Sequence, residues 1–157
     1  MDTIEAKGGM LDRTSRLALT AAVVITFIAA IVVMPQSGYV LTTLAWFALP
    51  QLVIIAVVTV IARSGMAALG VAVGLAAWLV WFRVWVMTQP PDGLIWLSYH
   101  FSLPGGVLGA LVAAFLVRRH RAPLTPWRHF AFGALGTVLG IAANQTMLCM
   151  TLVHCVP

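Results

Sequence analysis

The chain has 157 residues, 62% of them hydrophobic and only 8% charged, with a formal net charge of +5 at pH 7. That leaves too little polar surface to wrap a water-soluble globule, so the expected fold class is all-α: a polytopic membrane helix bundle forming a single transmembrane domain over residues 1–157, with no soluble domain. The basic balance would point to nucleic acid in a soluble chain; here topology and anionic headgroups absorb it, and no nucleic-acid partner is expected.

Five apolar runs, at about 17–34, 40–62, 66–87, 94–117 and 130–153, are each long enough to cross a hydrocarbon core of about 30 Å at about 1.5 Å per residue. Lys7, Arg13 and Arg16 precede the first run, Arg63 separates the second from the third, and Arg118, Arg119, Arg121 and Arg128 separate the fourth from the fifth. The alternate segments 35–39, 88–93 and 154–157 carry no Lys or Arg. Basic residues near helix ends stay in the cytoplasm, which predicts a multi-pass protein of the cell (inner) membrane with its N-terminus cytoplasmic and its C-terminus external. The first run exceeds a usual signal-peptide core and lacks a clear small-x-small site after it, so it is expected to be retained.

Taken in chain order, the first helix has no glycine and is uniformly aliphatic, which predicts a peripheral, lipid-facing position. The second contains Pro50, which lacks an N–H, frees the Trp46 carbonyl and kinks the helix beside Gln51. The third carries Gly70 and Gly74 at small-xxx-small spacing, flanked by Ala67 and Ala77, with Arg83 near its end. In the fourth, Ser98, Ser102, Gly105, Gly109 and Ala113 form one stripe, and Pro104 frees the His100 carbonyl. The fifth carries Gly133, Gly136, Thr137 and Gly140, continued through Asn144, Met147, Thr151 and Cys155. Small residues let backbones approach closely in lipid, so helices three, four and five are expected at the tight centre. The same faces could take a helix from another subunit, which implies a protein partner or a homo-oligomer within the lipid bilayer.

Counted from the predicted outer ends, Arg83 lies about 6 Å deep, His100 about 9 Å and Asn144 about 14 Å. With Tyr99 and Gln145 they form a candidate ligand-binding group for an amphiphilic anion or anionic lipid, in which Arg83 would clamp a phosphate or carboxylate. The plainer alternatives are that Arg83 snorkels to the headgroups from the lipid side, His100 packs, and Asn144 bonds across a close helix contact.

The C-terminal residues Met147, Cys149, Met150, His154 and Cys155 collect soft donors suited to Cu(I), though their spacing matches no metal motif. Six residues along a continuous helix rise about 9 Å, beyond disulfide reach, so Cys149 and Cys155 are expected to be independent. The only acidic residues, Asp2, Glu5, Asp12 and Asp92, lie outside the runs, leaving no carboxylate to relay protons, and no CxxC, HExxH, Walker A or GxSxG motif occurs. Neither a cofactor nor an enzymatic activity is expected. The leading expectation is a non-enzymatic integral membrane protein that acts by intramembrane binding, as an accessory subunit or an immunity-type protein. A small carrier or flippase-like protein with an outer-leaflet polar pocket is the second, and a copper or redox role for the C-terminal group the third.

Overall fold

The described part of each apolar run is helical in the computed structural model, which describes residues 13–33, 40–89, 95–119 and 125–151. The helices are α1 (Arg13–Val33), α2 (Val40–Ala62), α3 (Gly65–Val86), α4 (Ile95–Arg119) and α5 (Pro126–Thr151). All five are long and apolar enough to cross a membrane, as in a multi-pass membrane protein. α1 and α5 each begin four residues before their apolar run, because a first turn carrying arginine and other non-aliphatic residues continues the helix without extending the apolar run. Pro126 suits a first helical position, where an N–H would have no intrahelical partner.

The join between α2 and α3 shows how little chain a reversal needs. Arg63 ends α2 in the left-handed region at φ 50°, its N–H bonding the Thr59 carbonyl at 2.9 Å. Ser64 then turns extended and caps α3, accepting the Ala67 N–H at 3.4 Å, while its Oγ lies 2.9 Å from His129 Nδ1 on α5. The start of α3 is thereby tied to the first turn of α5. Arg13, Arg16, Arg63, Arg118, Arg119 and Arg128 consequently gather at one end of the bundle, the basic end; Trp46, Arg83, His100 and Asn144 lie towards the other, the far end.

α3 is the hub. It contacts all four other helices, and 61% of its most apolar window is buried, against 17% for α5. α5 nevertheless lies closely along both α3 and α4, because glycine lets it touch with backbone rather than side chains. Its stripe serves two neighbours. Gly133 abuts the Ala67 carbonyl of α3 and Gly70 that of Phe130, while Gly136 and Gly140 abut the carbonyls of Gly109 and Gly105 on α4. The two α4–α5 pairs are reciprocal, each glycine facing the other's carbonyl oxygen, the arrangement in which weak Cα–H···O contacts form. α3 and α4 touch each other less, so the glycine contacts join α5 to each of them separately rather than making three equal partners, and α5, the least buried helix, lies on the outside of that pair.

The first helix lies at the edge of the bundle, touching only α2 and α3 of the described helices, but one side of it packs closely rather than facing lipid all round. α1 runs along α3 with Ala18, Ala22, Thr26, Ala29, Ala30 and Val33 buried, and Ala22 packs with Ile55, Ala68 and Ala72 at the junction of three helices. Alanine and threonine at helical spacing do for α1 what glycine does for α5. Leu17, Val24, Ile28, Ile31 and Val32 form its outward side. Between α1 and α3 a shallow, almost wholly apolar groove of about 570 Å³ runs past Ile28, Val32, Ala77 and Trp81.

Candidate functional site

Pro50 and Pro104 break the hydrogen-bond ladders of α2 and α4, and polar side chains at membrane depth gather around those breaks. The Trp46 carbonyl, which would have bonded an N–H at position 50, lies 3.3 Å from His100 Nε2. A carbonyl only accepts, so Nε2 carries the hydrogen. The His100 ring also packs against the Trp46 ring at 4.8 Å, so one side chain covers both the broken backbone and its residue.

Beneath this contact Gln51 Nε2 donates to the Tyr99 hydroxyl at 2.8 Å, and both residues are fully buried. The Tyr99 ring meets those of Phe47, Phe82 and His100, the last almost perpendicular at 5.3 Å. From the α3 side the Trp78 indole N–H donates to Ser102 Oγ at 2.8 Å, and Ser102 donates to the Tyr99 carbonyl at 2.6 Å. α2, α3 and α4 are therefore joined by one buried polar cluster in an aromatic shell. Gln51 Oε1 is the buried side-chain atom left without a partner among the described residues, at a cost of about 1–3 kcal/mol if nothing meets it.

The predicted residues fall into separate groups. Tyr99 and His100 turn towards α2 and join the cluster. Asn144 approaches α4 from α5, packing on Gly105 and donating to the Phe101 carbonyl at 2.8 Å. Arg83 is half-buried and partnered, in line with the buried Leu79 and Ala76 of α3 rather than out on the lipid side; Gln145 is half-buried on α5. Met147 and Met150 are exposed. Cys149 is disulfide-bonded, against the expectation of two independent thiols, and in that state offers no thiolate to a metal. His154 and Cys155 lie outside the described residues, among which no group of three or more His, Cys, Asp or Glu side chains gathers.

Gln51, Trp78 and Ser102 were not singled out as binding residues from sequence. An amide beside an intrahelical proline, and a serine two residues before another, are the local signals that mark them. Chemically the cluster offers neutral donors and acceptors, suited to holding helices or a small hydroxyl group.

Compared with known proteins, the chain matches no family model, no curated protein and no solved structure.

Proposed function

We propose that this is a multi-pass protein of the cell (inner) membrane, N-terminus cytoplasmic and C-terminus external, that acts without catalysis by binding another membrane protein through its helices, as an accessory subunit or an immunity-type protein. The observation that carries this reading is how the polar side chains at membrane depth are engaged. His100 covers the Trp46 carbonyl, Asn144 the Phe101 carbonyl and Ser102 the Tyr99 carbonyl, so groups a solute pocket would use are directed to backbone. What the bundle offers outward is helix surface, and α5 offers the most. The clustering of arginines at one end supports the orientation by the retention of basic residues in the cytoplasm.

Native mass spectrometry after mild detergent extraction tests the function. A stoichiometric protein partner is expected. A retained anionic lipid, with loss on Arg83→Lys, would favour the carrier with an outer polar pocket instead, because Lys cannot reproduce a bidentate clamp; bound copper would favour the metal role. Reporter fusions test the orientation: one after Pro157 should read external and one between Arg118 and Arg128 cytoplasmic, and a cytoplasmic C-terminus would overturn it.

A further inference from the structure

The hydrogen-bonding capacity of the Gln51–Tyr99 pair is half used. Gln51 Nε2 donates to the Tyr99 hydroxyl, but Gln51 Oε1 meets no donor and the phenolic proton of Tyr99 meets no acceptor among the described residues. Exchanging the amide oxygen and nitrogen does not repair this. Oε1 would then take the Tyr99 proton, and both Nε2 hydrogens would be stranded in an apolar shell. In either orientation one end of a fully buried amide meets no partner among the described residues.

We propose that one water molecule occupies this joint between α2 and α4, accepting the Tyr99 phenolic proton and donating to Gln51 Oε1. Water is both donor and acceptor, and it closes a ring in which every bond runs the same way: Gln51 Nε2–H to Tyr99 oxygen, Tyr99 O–H to water, water O–H to Gln51 Oε1. Bonds arranged head to tail polarise one another and strengthen together. Two polar partners with complementary needs are the minimum that fixes a buried water. A lipid hydroxyl has the same chemistry, but both residues are fully buried, and a hydroxyl on an acyl or glycerol chain would need an open path to the surface.

The test is proton-detected solid-state NMR of the perdeuterated, glutamine-labelled full chain in phosphatidylcholine bilayers, which contain no lipid hydroxyl. Replacing Gln36, Gln89 and Gln145 by Asn leaves Gln51 as the single labelled side-chain amide. Magnetisation transfer from water to that amide is expected, and Tyr99→Phe, which opens the ring and removes one of the water's two partners, should weaken it. Absence of transfer would overturn the proposal. So would transfer that appears only after phosphatidylglycerol is added, which would assign the hydroxyl to lipid, or transfer unchanged in Tyr99→Phe, which would remove Tyr99 from the site.

Discussion

Where α5 meets α3 and α4, backbone lies against backbone, and the specificity of the contact comes from atoms that are missing: a Cβ at Gly70, Gly109 or Gly140 would land on a carbonyl oxygen of the facing helix. Where α2 meets α4, side chains meet, and the specificity comes from donors placed on particular acceptors: His100 on the Trp46 carbonyl, Gln51 on the Tyr99 hydroxyl. The two regions solve the same problem. In lipid no hydrophobic force draws apolar helices together, so they associate by close packing or by hydrogen bonds. They differ in what they tolerate. A glycine seam fails on any added carbon but is indifferent to polarity, whereas a polar joint accepts changes of shape but not the loss of a partner.

The largest effect is expected at the seam. Gly140→Leu drives a side chain into the Gly105 carbonyl and should cost about 3 kcal/mol or separate α5 from α4 altogether, read as a fall in the unfolding midpoint in detergent. An unchanged midpoint would mean the backbones do not touch there. At the polar joint Tyr99→Phe keeps the ring against Phe47 and Phe82 but strands the Gln51 amide, and a loss of about 1–2 kcal/mol is expected in the same measurement. The smallest effect belongs to Asn144→Ala, where seam and hydrogen bond overlap. The Phe101 carbonyl loses one donor while the contact with Gly105 relaxes, and about 0.6 kcal/mol is the usual scale of such a bond in a membrane bundle. A loss as large as that of Gly140→Leu would show that α5 is held mainly by Asn144, contrary to the backbone account.

The seam was more legible in the sequence than the joint, for a physical reason. Glycine spacing on one helix already states that something approaches closely, so Gly70, Gly74, Gly105, Gly109, Gly136 and Gly140 could be placed at contacts without knowing the partner. Their division between α3 and α4 depends on how α5 lies along both, which no single stripe encodes. The packed side of α1 was missed because Ala18, Ala22 and Thr26 look like ordinary apolar positions unless small size is weighed without glycine. At the joint, Pro50 announced a free carbonyl at Trp46, but the donor that covers it lies 54 residues away. Gln51 and Tyr99 are 48 residues apart, and only the mutual rotation of α2 and α4 decides that they meet.

The central claim at the α2–α4 joint is that His100 serves the Trp46 carbonyl that Pro50 leaves free, and a double-mutant cycle between Pro50 and His100 tests it most directly. His100→Phe keeps a ring against Trp46 but removes the donor, and beside Pro50 it should cost about 1 kcal/mol. In Pro50→Ala the N–H at position 50 returns to the Trp46 carbonyl, so the same His100→Phe change should then cost close to nothing, leaving nearly the whole effect as coupling between the two sites. An equal loss from His100→Phe in both backgrounds would contradict the account, because it would mean that His100 acts independently of the break.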